Sequence, residues 1–399
     1  MDVRKIRKHF PILKDIIYLD SASTSLTPEP VLESVLDYYH SYKANVGRGV
    51  YRMAQLADQR YRDAHRKAAD FVGGAGPEGT TIFTRNTTES INIVARGMLW
   101  KRGECIVTSI LEHHSNLLPW MRLKEKGVKL RVIKPDKTGM IDLEDYEKAI
   151  VKGTRLVAVS QLSNALGTVL PVKEISKICR EQGAALLVDG AQSVPHMPVD
   201  VKDIDCDFLC FSGHKMLAPM GTGVLWIKKE GEVEPLLVGG GMVQDVGDSD
   251  YVAKKGYEGY EAGTPDISAG IGLGAAVDYL TSVGVEEIHN HERRLTAKLL
   301  DGLQEIEGVV VYGPGSSSCR KERGGVVSFA VEGLLPHEVA LMLDQASSIS
   351  VRSGHHCCIP LMKHLGLKYG TVRASLYLYN SEEEIEKLLA TLEQIARMA

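Results

Sequence analysis

Seven short apolar runs rich in β-forming residues punctuate the stretch from Thr80 to Ile227, and helix-like segments separate most of them. The runs read TTIFT, CIVTS, VKLRVI, RLVAVS, AALLVD and DFLCFS, followed by GVLWI after a glycine-rich turn. Strands that alternate with helical crossovers pair in parallel and are wrapped by those helices. The pattern predicts an α/β fold: a mostly parallel seven-stranded sheet with helices on both faces. After Gly284 the character changes. The segment VEEIHNHERRLTAKLLDGLQEI sets Val285, Ile288, Leu295, Leu299, Leu303 and Ile306 near one helical stripe, and strand candidates follow at GVVVY, VVSFA and ISVRS. A smaller α+β domain is expected over residues 285–399, a larger one over 22–284, and an N-terminal segment 1–21 that packs on the smaller domain. The last helix opens at Ser381 with Glu384 in capping-box spacing and carries Ile385, Leu388, Leu392 and Ile395 on one face. Gly313 to Gly325, with its serine run and basic cluster, reads as the most loop-like stretch.

The 47 basic and 51 acidic residues nearly cancel, which argues against a nucleic-acid-binding patch and against a polybasic membrane anchor. A small substrate or a protein partner fits better. The opening MDVRKIRKHFPILKDIIYLD mixes charges with scattered apolar side chains, so it reads as neither a secretory signal nor an anchor, and a cytoplasmic location is expected. The seven cysteines are irregularly spaced and odd in number; reduced thiols are expected rather than a disulfide framework.

Asp189 closes the run AALLVD and is therefore predicted at the carboxyl end of a parallel strand, where open α/β sheets bind ligands. A shielded carboxylate there keeps a pyridine nitrogen protonated, because the charged pair stabilises both ions. Standing alone it would more readily be a strand-end residue that caps the next helix. In DCDFLCFSGHK, residues Cys206, Phe208, Cys210 and Ser212 share one strand face, and Gly213 turns the chain so that His214 and Lys215 meet the same sheet edge. Lys215 is then the Schiff-base candidate, deprotonated by burial and nearby cations. A solvated loop lysine is the plain alternative. An aspartate, an imine-forming lysine and a late cysteine together point to pyridoxal phosphate chemistry acting on sulfur.

A phosphate needs a helix N-terminus, and TRNTTES offers one. Asn86 caps, Glu89 completes a capping-box-like pair, and the Thr87 amide with the Thr88 amide and hydroxyl are left for an anion. Ser212 and His214 donate from the facing strand end. By itself the string is an ordinary helix start. His113 and His114 follow CIVTS at the same edge; one imidazole is placed to lie flat on the cofactor ring and to move protons near neutral pH.

In RSGHHCC the cations His355, His356 and Arg352 would lower the Cys357 thiol pKa if their fields reach it. Metal ligation by HHCC is disfavoured because neighbours in extended chain point apart, and no metal is expected. Cys358 is open between a core residue, a resolving thiol and a spare. Cys105, Cys179, Cys206 and Cys210 read as small core hydrophobes, and Cys319 as a bystander. Arg373 in TVRASLYLYN is placed either to bind a substrate carboxylate through two parallel hydrogen bonds or to form an intradomain salt bridge.

The strings LEHHSN, SNALGT, VDGAQ, FSGHK, YEAGTP, RSGHHC and RASLYLYN occur in one order over nearly the whole chain. In this the sequence resembles the group II cysteine desulfurases of the class V aminotransferase superfamily. The resemblance implies a fold-type I homodimer that binds pyridoxal 5'-phosphate as a Schiff base on Lys215. Asp189 would pair with the ring nitrogen, Gln192 would touch the phenolic oxygen and His113 would stack on the ring. Thr87, Thr88, Ser212 and His214 would hold the phosphate, with Thr264 reaching over from the other subunit. Asn164 and Arg373 would grip the substrate carboxylate, Ala22 would contact the substrate, and Arg352 would line the entrance.

Cys357 would take sulfur from L-cysteine as a persulfide, release L-alanine, and pass the sulfur to a reductant or a sulfur-acceptor protein serving iron–sulfur clusters or other products. L-selenocysteine is an alternative substrate, since selenocysteine lyases and related carbon–sulfur lyases share these motifs. An aminotransferase or a non-catalytic scaffold on the same fold are the remaining readings. Two departures from the pattern stand out. Where relatives often read HRGxH, this chain has Gly47, Arg48, Gly49, Val50 and Tyr51, and Cys358 follows the nucleophile where a non-thiol residue is expected. The cysteine loop runs straight into PLMKHLGL, which resembles the group II form with a short lobe that leans on a partner.

Overall fold

The computed structural model describes residues 1–76, 79–315 and 323–399, so Cys319 and part of the loop-like stretch lie outside the described residues. The seven apolar runs form one seven-stranded sheet. Its spatial order is Thr80–Thr84, Gly223–Ile227, Phe208–Ser212, Ala185–Asp189, Thr154–Ser160, Cys105–Ser109, Lys129–Ile133. All neighbours pair in parallel except at Gly223–Ile227, which runs antiparallel to both strands beside it. The reason is the connection: only Gly213–Thr222 separates that strand from Phe208–Ser212, too short for a helical crossover.

Successive residues of each strand feed opposite faces. Leu186, Val188, Leu209, Phe211, Val224 and Trp226 enter the core cluster that also contains Ile175 of the helix Val172–Gln182 and Leu273 of Ile267–Val283. Leu187, Phe208, Cys210, Leu225 and Ile227 enter the cluster on the other face, with Ile91 of the helix Thr87–Gly97 and Trp120 of Leu118–Arg122. Cys206 precedes its strand and packs with the first cluster, not on the Phe208 and Cys210 face where the alternation had put it. Cys105 is only half-buried at the start of its strand, whereas Cys179, Cys206 and Cys210 are buried.

A second sheet has four antiparallel strands in the order Val309–Tyr312, Val326–Val331, Thr371–Ser375, Arg352–Gly354. The expected strand ISVRS is divided. Ile349–Ser350 pairs in parallel with Ile17–Tyr18, and only Arg352–Gly354 joins the sheet. The helix Val285–Gln304 serves both cores: Ile288 packs with the larger cluster, while Leu295, Leu299 and Leu303 pack under the four-stranded sheet. The last helix, Glu382–Ala396, has the reciprocal Ser381–Glu384 capping box and buries Ile385, Leu388, Leu392 and Ile395. Among the described residues no single helix is long and apolar enough to cross a membrane.

Parallel pairing brings the carboxyl ends of the strands to one edge. Thr84 and Ser212 both pair with Gly223, so the start of the antiparallel strand lies between two strand ends. A Cβ at Gly223 would lie 2.5 Å from Asn86 Cα, the residue that caps the helix Thr87–Gly97. Glycine here is a matter of close approach. Gly223→Ala is expected to push the helix start off the sheet edge and to destabilise the protein by about 1–3 kcal/mol, as overpacking does. An unchanged guanidinium unfolding midpoint would show that the contact has slack.

Candidate active site

A cavity of about 210 Å³ opens at that edge, lined by residues from five strand ends and from the N-terminal segment. Asp189, Lys215, His113, Thr88, Asn164 and Arg352 all face it. A larger cavity of about 880 Å³ lies between the N-terminal helix and Glu382–Glu384, but it contains none of these groups.

Lys215 sits on a single 3-10 turn, Gly213–Lys215, directly after Ser212. Gly213 does not have a left-handed backbone; it is required because a Cβ would lie 2.0 Å from Thr222 Oγ1. Burial lowers the Lys215 pKa to about 8, helped by Arg373 and Arg352 and opposed by Asp189 and Cys357. Asp189 accepts the Ala191 amide at 2.9 Å, and burial raises its pKa.

The histidine pair divides. His113 faces the cavity, and burial with the Lys215 charge lowers its pKa to about 3, so the ring is neutral and does not titrate near neutral pH as the sequence had suggested. Its Nδ1 accepts from the Ser115 amide at 3.1 Å and lies 2.9 Å from Ser115 Oγ, which in turn is 2.7 Å from Thr88 Oγ1. With Nδ1 an acceptor, Nε2 carries the hydrogen. His114 instead turns to the cysteine loop: its amide donates to the Cys357 carbonyl at 2.8 Å, and its Nε2 accepts from the Ile359 amide at 3.2 Å.

The helix start differs from expectation in two ways. Glu89 reaches past the cap to accept from the Arg85 amide at 2.6 Å, while Asn86 Oδ1 accepts from the Glu89 amide at 3.0 Å. The Thr87 amide is not free; it donates to Ser212 Oγ at 2.9 Å, and the two hydroxyls lie 2.6 Å apart. An anion at this helix start could be met by the Thr88 amide and hydroxyl and by the Ser212 side. His214 is held neutral, burial and Lys215 lowering its pKa to about 4.

Sequence reasoning missed three residues. Glu112 is fully buried, receives the Ser109 hydroxyl at 2.9 Å and the Asn116 amide at 2.7 Å, and is raised by burial to about 8, with Asp189 adding to the rise. Burial thus disfavours its charged form. Ser115 links Thr88 to His113, and Asp20 pairs with Arg373 at 2.9 Å. The signal for Glu112 was its place in LEHHSN, a carboxylate beside two histidines.

Arg352 completes the rim, next to the cysteine loop. Arg352 Nη1 donates to Ser23 Oγ at 2.9 Å, and its Nη2 lies 3.8 Å from Cys357 Sγ. His356, the residue before Cys357, does not add to this field. Burial drives His356 down to about 2 and its Nε2 bonds Thr371 Oγ1, while His355 turns to the Lys368 carbonyl. Arg373 is fully buried, off the cavity lining, and its fork is occupied by Asp20, Ser23 and the Asn164 carbonyl at 2.8–2.9 Å; only Nε is unpaired. The ion-pair reading of Arg373 is the one this geometry displays. Asn164 Nδ2 donates to the His356 carbonyl at 2.8 Å, which leaves its second N–H. Gln192 Nε2 donates to the Ala22 carbonyl at 2.8 Å, and its Oε1 has no partner. Thr264 lies apart, in a second cavity with Gly47, Arg48 and Tyr51, where Asn45 Nδ2 is 3.4 Å from its hydroxyl. The segment that departs from HRGxH thus belongs to the Thr264 cavity.

The model of the class-V aminotransferases matches residues 17–388. A probable cysteine desulfurase of Pyrococcus abyssi is 48% identical over 398 residues, 98% of this chain and 97% of that protein. One from Methanothermobacter thermautotrophicus is 45% identical over 403 residues, 100% of this chain and 99% of the relative. The chain belongs to the class-V aminotransferase family, among its cysteine desulfurases. Solved structures of that family agree. The apo cysteine desulfurase of Thermococcus onnurineus NA1 superposes with a TM-score of 0.95 at 47% identity, covering 99% of this chain and 98% of the other. The Escherichia coli cysteine desulfurase CsdA, in an S-sulfonic acid form, gives 0.91 at 31% identity over 100% and 99%. The sheet order and the edge cavity are thus placed on a fold-type I framework.

The amine of Lys215 is expected to become reactive as pH rises through about 8, the range to which burial lowers it. Because Asp189 raises that value, Asp189→Asn should move the midpoint to lower pH. Reductive trapping of a small aldehyde on Lys215, followed by peptide mapping from neutral to alkaline pH, reads both. A midpoint at the ordinary lysine value would remove the case for a desolvated amine.

Proposed function

We propose that this protein removes the sulfur of L-cysteine, releasing L-alanine and leaving a persulfide on Cys357, with pyridoxal 5'-phosphate held on Lys215. The observation that carries this is a single grouping. Lys215, Asp189 and Arg352 face one cavity, and the Arg352 guanidinium touches the Cys357 sulfur at 3.8 Å.

The residues present fit the cofactor. Two buried polar atoms of the lining, Gln192 Oε1 and Ser160 Oγ, have no partner among the described residues, as expected of a cavity shaped for a polar guest. When bound, the cofactor supplies an electrophilic carbon and a protonatable ring that draws electrons from bonds broken beside it. Asp189 keeps that ring nitrogen protonated by facing it with a negative charge. The neutral His113 would cover the ring without adding a charge of its own. Thr88, Ser212 and His214 would hold the phosphate, with Thr87 supporting Ser212 and Thr264 supplied by the second subunit of a homodimer. Gln192 would meet the phenolic oxygen.

The Lys215 amine would take and return the proton at the substrate Cα, a task suited to an amine whose pKa burial lowers to about 8. Asn164 offers its second N–H to the substrate carboxylate, beside Ala22. Arg373 joins it by exchanging its Asp20 and Ser23 contacts for that carboxylate. Arg352 stabilises the negative charge on the Cys357 sulfur as it attacks the substrate sulfur. The reading divides labour at Gly284: residues 22–284 supply Lys215 and Asp189, and residues 285–399 supply Arg352, Cys357 and Arg373. A sulfur-acceptor protein or a thiol reductant then collects the persulfide.

With L-cysteine and pyridoxal phosphate, purified protein is expected to form alanine together with sulfide or protein-bound persulfide. Cys357→Ala should abolish sulfur transfer, Lys215→Ala should abolish all turnover, and Asp189→Ala should lower kcat by roughly 10²–10³-fold, the range for removing one preorganised electrostatic partner. Pyruvate and ammonia as products, undiminished in Cys357→Ala, would replace this reading with a carbon–sulfur lyase.

A further inference from the structure

The cysteine loop holds an unfavourable backbone. His356 and Cys357 have φ of 50° and 58°, two consecutive non-glycine residues in the left-handed region. Such a pair persists only where the surroundings over-determine it. The Asn164 Nδ2 donates to the His356 carbonyl at 2.8 Å, and the His114 amide donates to the Cys357 carbonyl at 2.8 Å. The Ile359 amide then donates to His114 Nε2 at 3.2 Å, tying the far side of the loop to the same histidine.

Cys358 completes this arrangement. Its sulfur lies 3.3 Å from Asn164 Oδ1, with the Glu112 and Leu111 carbonyl oxygens at 3.6 and 3.9 Å. A sulfur surrounded by three oxygens is there as a donor. Burial, with Glu112 and Cys357 nearby, pushes its pKa far up, so the hydrogen stays on. Only one orientation of the Asn164 amide suits both neighbours: the nitrogen toward the His356 carbonyl, the oxygen toward the thiol. The adjacent sulfurs thus have opposite surroundings. Cys357 faces the Arg352 guanidinium, and Cys358 faces oxygens with no exposed surface.

We propose that Cys358 is a positioning residue: its thiol fixes the Asn164 amide, that amide holds the strained backbone beside Cys357, and the Cys358 sulfur takes no part in sulfur transfer. The role rests on the reading of Cys357 as the residue that accepts sulfur. It assigns to the second thiol a hydrogen bond rather than a relay or a disulfide.

Two readouts test it on Cys358→Ala and Cys358→Ser. One is deuterium exchange of the 354–359 segment with no substrate present. The other is the rate and position of sulfur added by a single charge of L-cysteine to the cofactor-loaded protein, mapped by peptide mass. Cys358→Ala is expected to raise loop exchange about tenfold and slow Cys357 persulfide formation about tenfold, the scale of one lost hydrogen bond. Cys358→Ser, which keeps a donor, should stay within about twofold of the native protein in both. Sulfur on Cys358, a Cys357–Cys358 disulfide during turnover, or a serine variant as impaired as the alanine one would overturn the proposal. So would unchanged loop exchange in Cys358→Ala. If Cys358→Ala fails to fold, the serine variant decides alone: retained loop protection and rate support the role, loss of both ends it. A native protein that forms no persulfide on Cys357 but shows the expected exchange pattern would sink the functional reading and leave the clamp standing.

Discussion

Lys215, Asp189 and Arg352 face one cavity of about 210 Å³, with Arg373 buried behind its lining residues Asn164 and Ser23, and the rest of the fold is arranged so that these charges answer one another. A buried ammonium is costly unless it loses its proton or faces a carboxylate. Here both happen in part: desolvation and two arginines lower the amine toward neutrality, and Asp189 limits the fall. Each group arrives on a different element, so the balance exists only when the strand ends converge. The tight approaches at Gly213 and Gly223 are the steric condition for that convergence.

The N-terminal segment joins the two sheets at this point. Ile17–Tyr18 pairs with Ile349–Ser350, Asp20 bridges to Ser375, and the Ser23 hydroxyl receives both Arg352 and Arg373. Asp20 supplies the carboxylate for Arg373. The guanidinium that the proposed mechanism assigns to a substrate carboxylate is thus already satisfied by one from the chain itself. Substrate has to compete with Asp20, and a buried arginine without either would carry an unpaired charge.

Much of the framework was legible in the chain. Short apolar runs with helical spacers identify a parallel sheet, and a carboxylate or a hydroxyl at the end of such a run is brought to the ligand-binding edge by topology alone. That is why Asp189, Ser212, Lys215 and His113 meet. Protonation was not legible. His356 looked like a cation beside Cys357, yet it is buried so deeply that its charged form is suppressed. Glu112 drew no attention in the sequence, and burial raises its pKa to about 8. Desolvation depends on how many atoms surround a group, and no local string encodes that count.

The amino-acid order by itself determined which residues fall at strand ends, which helices flank them, and that a lysine, an aspartate and a cysteine of complementary chemistry share one chain. Tertiary structure alone decided how the hydrogen bonds are shared: the Thr87 amide engaged by Ser212, the Arg373 fork by Asp20 and Ser23, and the Asn164 amide by the two flanks of Cys357. Those partners are separated by more than a hundred residues in sequence, and whether a donor is free or engaged is settled only when the packed chain brings its acceptor within about 3 Å.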